Sequence, residues 1–379
     1  MSAWTFLAQR ATTGEWLDWD VPITLSSLEW TLSGPGSLSG TVSPDVGGLR
    51  TDDGRLLLEE WGTLIYAESG GEIRWGGIVV SSSFEGEAWR IECAGFTTYP
   101  HAITYQGEYS KIGVDPADVV RELWRHVQSF PDSDLRVIVT GAASTSARLG
   151  TAAHDETATE PDGSKRTEHH DAEPYALLWW EHPNCGEELD NLAKQTPFDY
   201  IEKHYWSPDR EAVVHEVELG YPRIGRRRDD LVFAEGENVT NVLSVESNGD
   251  EFANTILGLG AGEGRAMIRR ETGLRDGRLR RISVYADKAV TDAARMDALI
   301  ADELAYRKAA LRITKLDVID HPHAPIGSWQ AGDDILVRAE LPWLGEVEMW
   351  VRITAWSLTG DGSTASLDVT RSDHFRYGG

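Results

Sequence analysis

The sequence predicts a mixed β and α+β fold, in which two small antiparallel β-barrel domains carry inserted helical and α+β domains. Short runs of alternating apolar and polar residues, separated by glycine-containing turns, occur near both ends of the chain and predict strands. Segments with a helical spacing of apolar residues interrupt this pattern in the middle of the chain. A chain of 379 residues is also long enough to bury more than one hydrophobic core.

Residues 1–104 are predicted to form the first β-barrel domain. Turn sequences such as Gly70-Gly71 separate its strands at short intervals, as in hairpins. Three of the predicted strands each carry apolar residues on one face: Leu28, Trp30 and Leu32; Ile73, Trp75 and Val79; and Trp89, Ile91 and Cys93.

Residues 105–204 are predicted to be a helical insertion. In its first helix Asp115 is a good N-cap, Pro116 fits the first turn, and an apolar stripe follows as far as Val127. The stretch 141–172 has no apolar periodicity, so we expect an exposed, mobile loop there. Two further helices are predicted in this insertion, over 175–182 and 187–195.

The β pattern returns after the insertion, and residues 205–239 together with 313–379 are predicted to form the second β-barrel domain. Between these two segments, residues 240–312 are predicted to be an α+β domain with a long helix over 289–311. The strands predicted in the last segment are Thr314 to Ile319, Asp334 to Glu340, Glu346 to Ala355 and Ser363 to Thr370.

Two tryptophans make the strand beginning at Glu346 unusual. Strict alternation places Trp350 and Trp356 on its polar face, with apolar residues such as Val351 on the other face. Tryptophans are costly to leave in water and are enriched in protein interfaces. We therefore expect a neighbouring domain of the same chain or another subunit to cover them.

The glycine-rich segment 254–264, NTILGLGAGEG, resembles a phosphate-binding loop at first sight. The spacing fails, because Glu263 stands where a dinucleotide fingerprint needs its third glycine, and no Lys-Ser or Lys-Thr pair closes a P-loop. The residues that follow are predicted to form strands, whereas a phosphate site needs a helix. We predict that these glycines serve backbone geometry and that the chain binds no cofactor.

The charge of the chain limits its partners. The sequence has 36 basic and 62 acidic residues, and a net charge of −26 disfavours wrapping around nucleic acid or binding an anionic membrane. The region 264–281 is the exception, with seven arginines against Glu271 and Asp276. Acidic groups of this chain or of an acidic neighbour are the expected partners of these arginines. The candidate interface residues among them are Arg269, Arg270, Arg280 and Arg281.

No motif in the sequence indicates a metal centre. His154, His169, His170, His182 and Cys185 match no zinc-finger or ribbon spacing, and they are predicted to be polar surface residues. Cys93 is the second cysteine of the chain, and the pair is expected to be two unrelated buried thiols.

The sequence also lacks a recognisable catalytic motif, and no G-x-S-x-G elbow is present. We therefore expect no enzyme activity. Abundant tryptophan and carboxylate residues keep one alternative open, a carbohydrate-binding module or a glycoside hydrolase that acts on cell-surface glycans. No apolar span of 18 residues occurs, so no insertion into a membrane is expected.

Five separated segments, in order along most of the chain, resemble the hub or distal minor tail proteins of siphophages, particularly those that infect actinobacteria. They are EEWGTLIYAE, GEIRWGGIV and WRIECAGFTTY within 57–99; TPFDYIEKHYW at 196–206; ELGYPRIGRRRDDLVFAEGENV at 218–239; FANTILGLGAGEG at 252–264; and the long helix with its sequel PIGSWQAGDDILV at 325–337.

The resemblance implies a structural protein that forms a homotrimeric ring at the virion tail tip after assembly in the host cytoplasm. Two related barrels in each chain would mimic the six-fold tail tube. The implied partners are the distal tail protein, the tape measure protein and other tail-tip proteins. DNA would contact the chain only in transit through the bore during ejection.

Overall fold

The computed structural model describes residues 4–42, 50–51, 54–86, 88–159, 165–196, 198–240, 245–247, 249–288, 290, 292–308, 311–359 and 362–372. Strands fill the first part of the chain, in agreement with the predicted β character of residues 1–104. They are β1 (Trp4–Arg10), β2 (Trp16–Asp18), β3 (Ile23–Thr31), β4 (Ser37–Val42), β5 (Thr63–Ser69), β6 (Glu72–Glu85) and β7 (Ala88–Ala94), followed by a 3-10 helix, Phe96–Ala102.

The next part of the chain mixes strands and helices. Its elements are β8 (Glu108–Lys111), α1 (Pro116–Val127), β9 (Val137–Gly141), β10 (His154–Thr159), β11 (Lys165–His170), β12 (Tyr175–Leu178), a 3-10 helix (Trp179–Glu181), α2 (Cys185–Gln195), β13 (Asp199–Trp206) and β14 (Val213–Gly220). The helices α1 and α2 are confirmed. In α1 the Asp115 side chain accepts a hydrogen bond from the Ala117 amide at 2.9 Å, as an N-cap does.

The remaining elements complete the chain. They are β15 (Arg227–Ala234), β16 (Val245–Ser247), β17 (Thr255–Leu259), a 3-10 helix (Gly264–Ala266), β18 (Arg269–Gly273), β19 (Ile282–Ala286), α3 (Ala293–Lys308), β20 (Leu311–Ile313), β21 (Lys315–Ile319), β22 (Asp334–Leu341), β23 (Gly345–Thr359) and β24 (Thr364–Arg371). The four strands predicted after residue 313 are confirmed. The long helix is also confirmed, although the described part is shorter than 289–311.

Two features of the predicted helical insertion 105–204 are wrong. Residues 175–178 form a strand instead of a helix, because β12 pairs with β8 and the tertiary pairing overrides the local pattern. The stretch 141–172 contains the regular hairpin of β10 and β11, which has no apolar face that could reveal it in the sequence. The insertion is therefore a mixture of strands and helices.

One sheet of twelve strands joins the two ends of the chain within the described ranges. Its order is β15-β22-β23-β3-β4-β7-β6-β5-β1-β2, and β24 pairs with both β23 and β21. The long strand β23 makes the junction: its first half pairs with β22, and its last five residues pair with β3, from Ala355 opposite Thr31 to Thr359 opposite Ser27. Separate apolar cores lie on the two sides of this junction.

A β-bulge in β23 places Trp356 on the opposite face of the strand from the one predicted. Against β24, Ile353 lies opposite Val369 but Ala355 lies opposite Asp368, so one extra residue is present between them. The extra residue turns Trp356 back to the apolar face, where it is buried in the same core as Ile353. Strict alternation had placed Trp356 on the polar face, and it fails because a bulge shifts the pattern by one residue.

The buried guanidinium of Arg352, on the other face of β23, ties three segments together. It is 0% exposed. Its Nη2 donates to Asp199 Oδ2 of β13 at 2.5 Å and to the Ile224 carbonyl at 2.8 Å, and its Nε donates to the Gly332 carbonyl at 3.1 Å. Asp199 also accepts from the Ile224 amide at 3.0 Å. Charge-assisted bonds of this kind offset the high cost of burying a charge.

Two glycines allow the carbonyl groups around Arg352 to approach each other. Gly225 has φ +87° and Gly332 has φ +98°, which are left-handed values that disfavour other residues. A Cβ atom at Gly225 would lie 2.1 Å from the Gly332 carbonyl oxygen. Replacing either glycine by a larger residue would push the segments around Gly225 and Gly332 apart.

A second ion pair lies beside the first, between Arg223 and Asp334 at 2.7 Å. Burial lowers the pKa of Arg223 to about 10, so its guanidinium is still charged at neutral pH. Burial also raises the pKa of Asp334.

None of the helices in the described ranges has the length and hydropathy of a membrane span.

Replacing Arg352 by alanine should lower the free energy of unfolding by about 3–5 kcal/mol, because it leaves Asp199 and two carbonyl groups without their buried partner. The matched control is Arg338→Ala on β22, whose exposed pair with Glu348 should contribute less than about 1 kcal/mol. Urea unfolding measures both. Equal losses in the two variants would contradict the role given to Arg352.

Candidate functional site

Trp356, a predicted interface residue, lies inside the chain. Its ring stacks on Trp30 with centroids 3.9 Å apart and planes 7° apart, and it contacts the edge of Trp329 at 4.9 Å. Trp30 belongs to β3 and Trp329 precedes β22, so residues of both sheet halves meet at this cluster. With 8% of its surface exposed, Trp356 is covered by its own chain, which was one of the two alternatives for it.

Trp350, the second tryptophan, is half-buried near the edge of the same sheet. The guanidinium of Arg227 lies 3.7 Å from its ring centroid, in a cation–π contact that reaches from β15 across the intervening strand β22. Arg227 also pairs with Asp229 at 3.0 Å. Part of the Trp350 ring therefore stays accessible, while its orientation is held by residues of the same chain.

A cleft of about 570 Å³ lies next to the tryptophan cluster. Its walls come from both sheet halves and from β13, and five tryptophans line it: Trp4, Trp30, Trp75, Trp329 and Trp356. Aromatic walls with a few polar groups are typical of ligand pockets. If the chain were a carbohydrate-binding module or a glycoside hydrolase, this cleft is where the sugar would bind.

The described residues that line the cleft do not supply a pair of carboxylates. Glu202 is the acidic residue among them. Its oxygens accept hydrogen bonds from the amides of Phe96 at 3.0 Å and Thr97 at 2.8 Å, so this carboxylate holds the start of a 3-10 helix. Glycoside hydrolysis needs two carboxyl groups on either side of the bond. The geometry of the cleft thus gives no support to hydrolysis.

The arginine-rich region forms a three-stranded sheet with β17 between β18 and β19. Helix α3 covers one face of this sheet. A Cβ atom at Gly258 would lie 2.7 Å from both Ile300 and Met296 of α3, and one at Gly260 would lie 2.7 Å from the Val290 carbonyl oxygen. The glycine run therefore serves close packing, and the strands predicted to follow it are confirmed as β18 and β19.

The opposite face of this small sheet is open. Gly258 pairs with Tyr285 of β19 on the helix side, so Ile282 and Val284 point to the other side by alternation. Their side chains are 55% and 56% exposed, and β19 is an edge strand. Sequence analysis missed this face, although the alternation in ISVYA could have indicated it. Exposed apolar residues that lie together indicate a contact surface.

The four candidate arginines lie at the surface around this sheet. Arg270 pairs with Asp297 of α3 through two hydrogen bonds of 2.6 and 2.5 Å, and Arg280 pairs with Glu271 at 2.5 Å. Arg269 also approaches Glu271, at 3.9 Å, and Arg281 donates to the Asp250 carbonyl at 3.4 Å. Acidic groups of the same chain thus face several of them, which was one of the two expected kinds of partner. Exposed pairs of this sort contribute little to stability.

No protein-family model and no curated protein matches this chain in sequence. Solved structures do match in fold. The 43 kDa tail protein of prophage MuSo2 from Shewanella oneidensis aligns with a TM-score of 0.55 and 14% identity, over 98% of this chain and 99% of that one. A tail protein from Neisseria meningitidis gives 0.53 and 12%, over 98% of both chains. The prophage tail protein gp18 from Listeria monocytogenes gives 0.53 and 11%, over 96% and 94%.

The chain has the fold of phage tail proteins. The resemblance found in the sequence is confirmed at this level, and the alignments cover nearly the full length of both proteins in each comparison. At 11–14% identity the similarity concerns the fold. Individual side chains of those proteins say nothing about the residues discussed above.

A buried histidine lies behind the tryptophan-lined cleft of this tail-protein fold. His215 of β14 has its Nε2 at 3.2 Å from the Tyr66 hydroxyl, and its ring lies 5.7 Å from that of His204, which lines the cleft. Burial lowers the pKa of His215 well below its usual value, and the nearby His204 and Arg136 lower it further. His215 is therefore neutral in the folded chain.

Because His215 is buried in its neutral form, the folded chain should be less stable in mild acid than at neutral pH. A histidine in the unfolded chain takes up a proton near pH 6.5, whereas the buried His215 does not. The stability of the folded chain is therefore unaffected by His215 above about pH 6.5, and it falls below that pH by up to about 1.4 kcal/mol per pH unit. His215→Gln should reduce the slope of unfolding free energy between pH 7 and pH 5, whereas Thr12→Ala at the surface, which removes no titrating group, should not. An unchanged slope in His215→Gln would contradict a buried neutral His215.

Proposed function

We propose that this chain is a hub subunit of a siphophage tail tip. In this proposal three copies form a ring at the virion tail tip that continues the tail tube, and the tape measure protein and then DNA pass through the bore during ejection. The subunit works by its shape and its interfaces and catalyses no reaction. It is assembled in the host cytoplasm, together with the distal tail protein and other tail-tip proteins.

The observation that carries the proposal is the match over the full length to tail proteins. An inserted domain or a shared barrel would give a match over part of a chain, but here at least 94% of each tail protein is covered. The whole architecture is therefore shared, including the inserted segments. A chain built throughout like a tail protein is most simply a tail component itself.

We further propose that the twelve-stranded sheet contains the two tube-like barrels. The first would be residues 1–104, and the second would combine the predicted segments 205–239 and 313–379. Of the strands described in the first of these segments, only β15 lies in the large sheet, because β14 pairs with β13 and β9 in a separate sheet of three strands. The pairing of β23 with β3 supports a fixed angle between them, because it joins the two halves edge to edge. The segments 105–204 and 240–312 would then lie outside the ring and brace it.

The open face of the β17–β19 sheet is our proposed subunit interface. Ile282 and Val284 provide apolar area, and the arginines around them provide positive charge in a chain whose net charge is −26. Because the rest of the chain has a large excess of acidic residues, a second copy can offer carboxylates to these arginines, which would favour association between copies. Arg269, Arg280 and Arg281 belong to this proposed interface. Arg270 lies on the helix side of the sheet, where it pairs with Asp297 of α3, and Trp350 lies on β23 of the large sheet, so the interface roles predicted for these two residues would need a separate contact. Trp356 does not belong to the interface, because its own chain buries it.

The acidic composition supports the proposed passage of DNA. A bore lined by carboxylates repels phosphate groups, so a strand would pass without binding. Charge-reversing substitutions along the bore should therefore slow ejection in an infection assay, and unchanged ejection would contradict this role of the acidic charge.

The tryptophan-lined cleft is the observation that favours the second candidate, a carbohydrate-binding module. Sugar rings stack on aromatic side chains, and five tryptophans line this cleft. Titration with cell-wall oligosaccharides tests this candidate directly. A monomeric protein that binds or cleaves glycans would exclude the hub proposal.

The purified protein should have three times the 42.0 kDa mass of one chain when measured by light scattering. Val284→Lys should shift it towards the monomer, because a lysine would be buried against the apolar residues of the proposed interface. The matched control is Ile138→Lys in β9, an edge-strand residue of another three-stranded sheet with 46% exposure. That variant should keep the mass of the wild type.

A wild-type mass equal to one chain would contradict the trimer proposal in this purified form. An equal loss of mass in both lysine variants would contradict the position of the interface, while leaving the trimer itself in place. Circular dichroism of each variant separates loss of assembly from loss of folding.

A further inference from the structure

Glu237, His321 and His323 bring three metal-binding side chains together at the surface. One donor atom from each lies within 4.8 Å of the others. His323 Nδ1 is 3.1 Å from Glu237 Oε1, and the two imidazole rings lie 4.8 Å apart at an angle of 74°. Sequence analysis did not identify this group, because Glu237 is more than eighty positions away from the histidines.

The two histidines are held by a tight turn, His321-Pro322-His323-Ala324. The Ala324 amide donates to the His321 carbonyl at 2.9 Å, which closes the turn, and the side chain of Ala324 is buried. Proline at the second position fixes the backbone angle that such a turn needs. The loop that carries both imidazoles is therefore ordered before any ligand binds.

Glu237 is held by a second turn that packs directly against the same region. The side chain of the buried Asn238 accepts from the Ala234 amide and donates to the Val232 carbonyl, both at 2.8 Å. The Asn238 carbonyl accepts from the Ile319 amide at 3.0 Å, at the end of β21. Since His321 follows β21 by two residues, this backbone bond fixes the distance between the two turns.

We propose that Glu237, His321 and His323 bind one divalent first-row transition metal ion, of which zinc is the most suitable probe. Two imidazoles and one carboxylate are a common ligand set for such ions, and they leave a position for water or a neighbouring group. Ligands of a tetrahedral zinc ion lie about 3.4 Å apart. The pair of Glu237 and His323 already meets this spacing, and rotation of exposed side chains brings the third donor in.

The bound ion would clamp the 234–239 turn to the 321–324 turn. Both turns border the core of the second sheet half, where Val239 and Ala324 are buried. Because the ion binds the folded chain and not the unfolded one, it should raise the melting temperature in proportion to its affinity and concentration. This role does not depend on the proposed hub function.

Isothermal titration of the tag-free protein with zinc chloride tests the site. The wild type should bind one zinc ion per chain at this site, and His323→Ala should weaken the binding by more than about tenfold, since even the loss of outer-shell partners costs that much. Glu237→Gln, which keeps the shape of the side chain, should also weaken it. Zinc should raise the melting temperature of the wild type more than that of either variant.

The double variant His154→Ala, His170→Ala is the matched control. These residues are a stacked pair of surface imidazoles with ring centroids 5.0 Å apart on the β10–β11 hairpin. The control should keep the affinity and the melting-temperature shift of the wild type. A wild type that binds no zinc would overturn the proposal, and so would a control that loses as much affinity as His323→Ala. Circular dichroism verifies that each variant is folded, and Glu237→Gln decides the question if His323→Ala unfolds.

Discussion

The buried guanidinium of Arg352 is the interaction on which the arrangement of the chain depends. It lies on β23, the strand that joins the two halves of the large sheet, and its hydrogen bonds reach Asp199 of the insertion and the carbonyl groups of Ile224 and Gly332. A buried charge needs all its partners in place, since each missing partner leaves an unpaired polar group. The insertion is thus held against the second half of the sheet, and the pairing of β23 with β3 joins the first half to them.

The same strand explains the tryptophan cluster. Beyond the bulge, β23 pairs with β3, so Trp356 lies opposite Trp30 on the adjacent strand. The two rings stack at the boundary between the two apolar cores. Hydrogen bonds of β23 fix the angle between the halves on one side, and stacked aromatic rings fill the gap on the other. The junction is therefore held by both kinds of contact.

Much of the fold could be predicted from the sequence, and the failures have physical causes. The periodic helix α1, the strands after residue 313 and the packing role of the glycine run were correct, because each rests on local patterns with strong spacing. The strand at Tyr175 was missed because pairing with β8 decides it, and the face of Trp356 was missed because a bulge leaves no mark in an alternating sequence. Of the candidate site, the sequence named the arginines, and their place in an interface stays a prediction. The open face with Val284 and the cluster around His323 were not predicted, because they depend on how distant segments meet.

The acidic charge, the joined sheet halves and the open β17–β19 face all fit one account, in which the chain is a building block of a tail-tip ring. Cryo-electron microscopy of a virion that carries this protein tests that account most directly. The account predicts three copies around a central bore at the tail tip, with the large sheet against the tube axis and the β17–β19 face in contact with a neighbouring copy. A reconstruction that shows the chain as a single copy, or as a peripheral decoration away from the bore, would contradict it.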